Sequence, residues 1–157
     1  FNHLRNLTGQ QILSKYGVIR SLIKALNHHE KVGFLLDQNT KISEGGVFVD
    51  FFNLPVPVSS AAASLAMHTG AEIFVGCCLH SNYGSYYAPA PRKLNADISA
   101  FNDKTKALEH ITQLIAQQIE DMIKQAPEQW LWTYKRWKYI APARHRADYP
   151  FYAKHMT

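Results

Sequence analysis

The stretch DKTKALEHITQLIAQQIEDMIKQ, residues 103–125, carries the clearest structural signal in the chain. Its apolar residues recur at intervals of three and four, which places them on one face of a helix. They are Leu108, Ile111, Ile115, Ile119 and Met122. Pro127 follows and marks the end of the pattern. We therefore predict an amphipathic helix over residues 103–125.

Upstream of this helix, strand-like segments alternate with helix-like ones. Residues 31–36, KVGFLL, form an apolar run of strand length, and a run that is apolar on both faces indicates a buried parallel strand. Residues 46–52, GVFVDFF, predict a second extended segment, which Pro55 and Pro57 are expected to break. The alternation predicts an α/β fold with a mixed, largely parallel sheet flanked by helices.

Three further helices are predicted in the first half of the chain, the first of them over residues 8–15 and separated from the second by Gly17. In residues 18–27 the apolar side chains again share one helical face. Ser59 or Ser60 can cap a third helix that runs to about His68 and is closed by Gly70.

Composition fits a folded domain that is cut at its N-terminus. The 157 residues are 46% apolar and 18% charged, which excludes a disordered chain. The chain begins with Phe1, so we expect an internal fragment or a processed product. It has no apolar run of about 18 residues, the length that a membrane-spanning helix needs. Membrane contact is therefore expected to be peripheral or to come from an upstream segment.

Cysteine and histidine patterns indicate neither a disulfide framework nor a metal site. Cys77 and Cys78 are adjacent, a separation that rarely permits a bridge, so a reducing compartment is favoured. The ligand spacing of zinc sites is absent, and Gly45-Gly46 lacks the context of a phosphate loop. The sequence therefore predicts no metal and no cofactor.

A search for a catalytic base among the eight histidines finds no candidate. Acyl transfer to a hydroxyl needs a histidine that takes the proton and a carboxylate that orients it, often five positions later. No histidine of this chain is followed by Asp or Glu at that distance.

The loop Asp37-Gln-Asn-Thr-Lys41 follows the predicted buried strand, and ligands collect at the carboxyl ends of strands in open α/β sheets. A carboxylate, two amides, a hydroxyl and an ammonium within five residues suit a polar head group. An Asp at the exit of a strand also often caps a turn. The sequence leaves both interpretations open.

The end of the chain is basic and aromatic. From Tyr134 onward there are six bases and the single acid Asp148, and Trp130, Trp132 and Trp137 lie beside them. Indoles flanked by bases suit a membrane interface. The same residues can stack on nucleobases, or can simply cover the end of the core.

Taken in order, several motifs resemble those of the lipid A late acyltransferases, the lauroyl and myristoyl transferases of the lysophospholipid acyltransferase superfamily. The motifs span about residues 4–139 and are Arg5 with Gly9, Gly33-Phe-Leu-Leu-Asp37-Gln38, Gly46-Val-Phe-Val-Asp-Phe51-Phe52, Pro127-Glu-Gln-Trp-Leu-Trp132 and Arg136-Trp-Lys138. The order of the motifs is more specific than any one of them. Asn53 stands where the family usually has Gly, and Tyr134-Lys135 replaces a common His-Arg pair.

The resemblance implies an acyltransferase on the cytoplasmic face of the inner membrane, with acyl carrier protein as donor, a glycolipid acceptor and no role for nucleic acid. Its His-x4-Asp/Glu pair would lie upstream of residue 1. Residues 1–140 would be the C-terminal part of the acyltransferase domain, and residues 141–157 a basic tail. The alternative is a non-catalytic module that binds lipid or acyl carrier protein.

By position in the motifs, the resemblance also implies a set of substrate-binding residues. Arg5 is expected near the acceptor phosphate or the reacting centre, and Asp37 matches the acidic residue of a further motif. The full set is Arg5, Asp37, Gln38, Phe48, Phe51 and Phe52.

Overall fold

The computed structural model describes residues 7–13, 17–97 and 101–156, which fall into two compact units, Phe1–Gly33 and Phe34–Thr157. Helix α1, Ile19–Asn27, belongs to the first unit and confirms the helix predicted over residues 18–27. The helix predicted over residues 8–15 is not confirmed in its described part, because residues 8–13 are not helical. Leu22 is its buried residue. All elements described below belong to the second unit.

A β-hairpin forms the centre of the second unit. Strand β1, Gly46–Phe51, pairs antiparallel with strand β2, Leu54–Ser59, through the two-residue loop Phe52-Asn53. The extended segment predicted over residues 46–52 is therefore confirmed. The expected break at Pro55 and Pro57 is wrong, because both prolines lie within β2.

The prolines fit this strand because they face its outer edge, where no ladder hydrogen bond is lost. Pro57 pairs with Phe48 and Pro55 with Asp50. The Pro57 carbonyl accepts from the backbone N–H of Thr40 at 3.1 Å, and the Pro55 carbonyl accepts from the hydroxyl of Tyr149 at 2.9 Å. The hairpin edge that carries the prolines is thus covered by other parts of the chain.

Two predicted helices are confirmed in this unit. Helix α2, Ala61–Thr69, ends at Gly70, whose φ of 72° is the left-handed conformation that closes a helix. Helix α3, Lys104–Gln125, begins after Asp103, whose carboxylate accepts from the N–H of Thr105 at 2.8 Å. Among the described residues, no helix is both long and apolar enough to cross a membrane.

The apolar face of α3 joins two core clusters. One cluster lies between α3 and the hairpin, and the other between α3, α2 and residues 73–96. The buried members of the first are Val49, Phe51, Val56, Val58, Ala116 and Ile123. Those of the second are Ala63, Val75, Leu94, Ile111 and Ile115. At the free edge of β1, the side-chain amide of Gln113 bonds to both the N–H and the C=O of Asp50, at 2.7 and 2.9 Å.

The fold is mixed α/β as predicted, but the sheet is not largely parallel. In the described residues the remaining strands are pairs of two residues each: β3 (Phe74–Val75) with β6 (Arg92–Lys93), β4 (Leu79–His80) with β5 (Tyr86–Tyr87), and β7 (Tyr139–Ile140) with β8 (Lys154–His155). The first two pairings and the hairpin are antiparallel, and only β7 with β8 is parallel.

The apolar run at residues 31–36 also differs from its prediction, because it forms no strand. Leu35 is 81% exposed and Phe34 36%, whereas Leu36 packs against the second core cluster. A strand needs a neighbour that takes up its backbone hydrogen bonds. No described strand pairs with this run, so its length and apolarity alone were misleading.

The end of the chain packs on the hairpin side of the unit. Ile140, Tyr149 and Ala153 form a third core cluster, against which Leu54 and Trp137 pack. Residues 139–155 therefore carry buried side chains as well as exposed bases.

Candidate functional site

The loop of residues 37–41 and the segment of residues 133–139 meet at one place, although they lie about 95 residues apart in sequence. The backbone N–H of Asn39 donates to the hydroxyl of Tyr134 at 2.8 Å, and the side-chain amide of Asn39 donates to the carbonyl of Lys135 at 3.0 Å. The structure thus brings the polar loop that follows the Asp37 motif to the basic end of the tryptophan-rich motif.

Backbone contacts fix the other end of this loop to the hairpin. The carbonyl of Lys41 accepts from the N–H groups of Glu44 and Gly46, both at 2.9 Å. A Cβ at position 46 would lie 2.2 Å from the Thr40 carbonyl oxygen, so this approach requires glycine. The glycine explains why the loop turns back on the hairpin and presents its side chains on the same side as residues 133–139.

A cavity of about 500 Å³ lies between the two segments. Its volume is within the range of about 300–1,000 Å³ that is usual for ligand pockets. Its lining is polar except for the rings and stems of its long side chains. The lining residues are Asn39, Lys41, Glu44, Thr133, Tyr134, Lys135, Lys138 and Tyr139.

The electrostatics of the cavity favour an anion. Three lysines, Lys41, Lys135 and Lys138, face one carboxylate, Glu44. In the described residues, ion pairs join Lys93 to Glu72 and Lys124 to Glu120 and Asp121, so none of the cavity lysines is paired there. Hydrogen-bond donors and positive charge converge on a concave space, which is what an anionic ligand requires.

Arg136 lies in the same segment, between two cavity lysines in sequence, but is buried. It is 2% exposed, and its guanidinium carbon lies 5.1 Å from the centre of the Phe51 ring. Its Nε and Nη1 atoms are buried without a hydrogen-bond partner among the described residues. Burial lowers the pKa of Arg136 to about 10, and charge interactions with Tyr134 and Asp37 oppose this. The group therefore remains a cation at neutral pH.

The predicted substrate-binding residues are only partly close to this cavity. Asp37 and Gln38 directly precede Asn39 in the loop, and both are exposed. Asp37 also interacts electrostatically with Arg136. Phe48 is half-buried on β1. Arg5, which is expected near the acceptor phosphate or the reacting centre, lies outside the described residues. The binding roles of these residues stay predictions.

Phe51 and Phe52 pack with the tryptophans. Phe51 is 1% exposed, and the rings of Phe52, Trp130 and Trp137 lie 4.9, 6.1 and 6.0 Å from its ring. The indole N–H of Trp137 donates to the Phe51 carbonyl at 3.2 Å. Phe51 therefore supports the segment of residues 130–137 from the core side, and of the three tryptophans only Trp132, 52% exposed, is among the exposed apolar residues.

Sequence reasoning identified the loop of residues 37–41 but did not identify what faces it. The sequence placed Lys135 and Lys138 in a basic, tryptophan-rich cluster for which a membrane interface was one of three interpretations, and it indicated no role for Tyr134. The polar composition of the loop was the available signal. Nothing local predicts the bond between Asn39 and Tyr134, because the two residues lie 95 positions apart in the sequence.

The structure of the second unit is thus a mixed α/β fold with a basic cavity on its surface. The sequence model of the family described as bacterial lipid A biosynthesis acyltransferases matches residues 1–139 of the 157. The chain therefore belongs to the bacterial lipid A biosynthesis acyltransferase family, as its motifs indicated. No curated protein matches the chain.

Proposed function

We propose that this chain is the substrate-binding part of an enzyme that moves a fatty acyl chain from acyl carrier protein to a hydroxyl of a lipid A precursor or a related glycolipid or lysophospholipid. The single observation that carries the proposal is the meeting of two family motifs at one basic cavity. Asn39, two residues after Asp37, is bonded to Tyr134 and Lys135 beside Arg136-Trp-Lys138. The site of action would be the cytoplasmic face of the inner membrane.

In the proposed reaction, a histidine outside residues 1–157 takes the proton of the acceptor hydroxyl. The hydroxyl oxygen attacks the thioester carbonyl, the new ester bond forms, and the C–S bond breaks, so that the departing carrier thiolate takes the proton back from the histidine. Arg5 and nearby donors would offset the negative charge on the substrate phosphate or on the oxyanion. The described residues would hold and orient the head group, which is the part of catalysis that positioning supplies.

An acyl-transfer assay tests this function. The complete protein, with any sequence that flanks residues 1–157, is incubated with acyl-acyl carrier protein and a lipid A precursor, and the acylated product is measured by mass spectrometry. We expect turnover by the complete protein and none by residues 1–157 alone. Turnover by residues 1–157 at the rate of the complete protein would contradict an external histidine.

A matched pair of variants tests the role of the cavity in that reaction. Asn39→Leu removes the side-chain bond to Lys135 and should lower kcat/KM by about tenfold to a hundredfold, because misplaced binding groups cost that much. Asn102→Leu, at an exposed asparagine, is the control and should leave kcat/KM unchanged. A complete protein that binds the lipid or the carrier but never forms product would instead be a binding module.

A further inference from the structure

The C-terminal segment, residues 141–156, follows the part of the chain that the family model matches, and it carries buried side chains of its own. Tyr149 and Ala153 belong to the third core cluster. The Tyr149 hydroxyl joins the N–H of Ala141 to the carbonyl of Pro55 on β2, at 3.2 and 2.9 Å. Through Tyr149, the C-terminal segment is therefore fixed to the hairpin.

Arg146 holds the turn that follows Tyr149. Its guanidinium donates to three consecutive backbone carbonyls: Nη1 to those of Tyr149 at 3.3 Å and Pro150 at 2.9 Å, and Nη2 to that of Phe151. Hydrogen bonds from a charged donor are about twice as strong as neutral ones, and the guanidinium donors lie in a rigid plane. Arg146 therefore fixes the course of the backbone over residues 149–151, just before β8.

Strand β8 brings the C-terminal segment to the wall of the cavity. It pairs with β7, and the N–H of Lys154 donates to the carbonyl of Lys138 at 2.9 Å. The Tyr152 ring, two residues earlier, has its centre 5.9 Å from the Lys135 ammonium. Lys135, Lys138 and Tyr139 all line the cavity. The C-terminal segment therefore contacts three of the lining residues.

These contacts hold the two lysines in place before any ligand binds. The bond from Lys154 fixes the backbone that carries Lys138, and the Tyr152 ring orients the Lys135 ammonium without neutralising it. A lysine side chain that must first be ordered weakens binding by about threefold to tenfold. Preorganisation by the C-terminal segment avoids this loss.

We propose that the C-terminal segment positions the wall of the cavity, with Arg146 as the positioning residue for Lys138 and Tyr152 as the positioning residue for Lys135. Arg146 and Tyr152 do not line the cavity themselves. The inference rests on the proposed function where it concerns the acceptor, because the two lysines would help to hold the acceptor's head group.

Hydrogen exchange of the complete protein, followed by mass spectrometry, tests the positioning directly. Arg146→Gln removes the three charge-assisted bonds, so exchange in residues 133–140 should become about tenfold faster while exchange in α3 stays the same. Arg144→Gln, an equal loss of charge in the same segment, is the matched control and should change neither region. Unchanged exchange in residues 133–140 of Arg146→Gln would overturn the inference. Equal acceleration in α3 would also overturn it, because the whole unit would then be destabilised.

Acyl-transfer kinetics of the complete protein test the effect on the acceptor. Tyr152→Leu should raise the KM for the lipid A precursor by about threefold to tenfold and leave kcat within about twofold, because the lost contact orients a binding group and takes no part in the chemical step. Tyr152→Phe keeps the ring and should keep the wild-type KM. A lower kcat with an unchanged KM in Tyr152→Leu would indicate a loss of folded protein and would overturn the role of Tyr152.

The two experiments also separate this inference from the proposed function. Faster exchange in Arg146→Gln, with no acyl transfer even by the wild type, would refute the proposed function and leave the positioning of the wall standing. Acyl transfer by the wild type, with the same exchange and the same KM in all variants, would do the reverse. Faster exchange with an unchanged KM in Arg146→Gln and Tyr152→Leu would show that the wall can move without affecting the acceptor, and would overturn the inference.

Discussion

Arg136 combines almost complete burial with buried N–H groups that have no hydrogen-bond partner among the described residues. An unpaired buried cation is costly, so its retention must be balanced by packing of its aliphatic stem and by its contact with Phe51. Because its lowered pKa of about 10 still lies above neutral pH, this cost does not vary between pH 6 and pH 9. The unfolded chain holds the proton more tightly, so stability rises with pH only between the folded and unfolded pKa values.

Two substitutions separate the stem of Arg136 from its charge. Arg136→Met keeps the buried stem and removes the cation, so the free energy of unfolding should change by less than about 1 kcal/mol or increase. Arg136→Ala removes both and leaves a cavity beneath Phe51, which should cost about 2–4 kcal/mol. Urea denaturation measures both. Equal losses in the two variants would show that the charge itself, through Asp37 or another anion, stabilises the fold.

Tyr149 ties the chain end to the hairpin through its hydroxyl. The hydroxyl donates to the Pro55 carbonyl at 2.9 Å and accepts from the N–H of Ala141 at 3.2 Å. Tyr149→Phe leaves both partners unpaired and should lower the free energy of unfolding by about 1–3 kcal/mol. Tyr152→Phe, at a half-buried neighbour, is the control and should have little effect.

The hydroxyl of Tyr149 also makes the free energy of unfolding decrease at alkaline pH. Burial raises the pKa of Tyr149 above its usual value, so the folded state keeps the proton when the unfolded chain loses it. The stabilisation is complete below the unfolded pKa of about 10 and is lost as pH rises above it. Urea denaturation measures the free energy of unfolding at pH 8 and at about pH 10.5. This free energy should fall between the two pH values in the wild type, and it should fall less in Tyr149→Phe. An equal loss in both would place the titrating group elsewhere.

Among the secondary-structure elements, the turn between β1 and β2 holds two non-glycine residues in the left-handed backbone conformation. Phe52 and Asn53 have φ values of 51° and 62°, the conformation of both central residues of a type I′ turn. Asparagine tolerates the left-handed region and glycine adopts it freely, but a β-branched residue does not. Asn53→Gly should therefore keep or raise stability by up to about 1 kcal/mol, and Asn53→Val should lower it by about 1–2 kcal/mol.

Thermal denaturation followed by circular dichroism measures the two Asn53 variants. Asn82→Val is the matched control, since Asn82 is an exposed turn residue without a positive φ. If Asn82→Val destabilises the protein as much as Asn53→Val does, the effect comes from loss of asparagine in a turn and not from the left-handed backbone.

Elements specified by local pattern could be predicted from the sequence, and those specified by distant partners could not. The periodicity of residues 103–125 is contained within α3 itself, and the β-branched and aromatic residues of 46–51 lie within β1. By contrast, whether Pro55 and Pro57 end a strand depends on which hairpin edge the rest of the chain covers. The contacts that cover this edge come from Thr40 and Tyr149, which lie outside the strand that contains the two prolines.

The candidate site likewise has one part that the local sequence indicates and one part that depends on residues distant in the sequence. The polar composition of the loop of residues 37–41 is visible in the sequence, and Asn39 and Lys41 of this loop line the cavity. Its interpretation as a site for a polar head group stays a prediction. Its partner segment was visible only as a basic, tryptophan-rich cluster. The bond between Asn39 and Tyr134 spans 95 positions, so spacing could not show that the cluster divides into cavity lysines, a buried arginine and core tryptophans.

At the scale of the whole molecule, the structure changes which residues can contact a membrane. Arg136 belongs to the basic cluster for which a membrane interface was one interpretation, but it is buried, and Trp130 and Trp137 pack against the core. The exposed apolar side chains near the basic end include Leu131, 69% exposed, and Trp132, 52% exposed. Arg144 and Lys154 are exposed bases outside the cavity.

We predict that residues 1–157 bind vesicles that contain anionic lipid through these two groups of residues. Each base near an anionic surface contributes about 1 kcal/mol, so Arg144→Gln with Lys154→Gln should weaken binding at low salt by about thirtyfold. Leu131→Ser with Trp132→Ser should remove the part of the binding that persists at high salt, because indole and leucine enter the interface independently of charge.

Vesicle sedimentation measures this binding, with Lys106→Gln as the charge control and Tyr83→Ser, at a side chain that is 97% exposed, as the aromatic control. Binding to nucleic acid also weakens with salt, so the salt dependence alone does not identify the surface. An excess of single-stranded DNA separates the two, because it should leave the protein on anionic vesicles if lipid is the partner. Release by DNA would favour a nucleic-acid surface, and equal binding to neutral vesicles would mean that the bases do not take part. Loss of binding in the control variants to the same extent would show that the effect belongs to the net charge or the apolar surface of the whole molecule and not to residues 131–154.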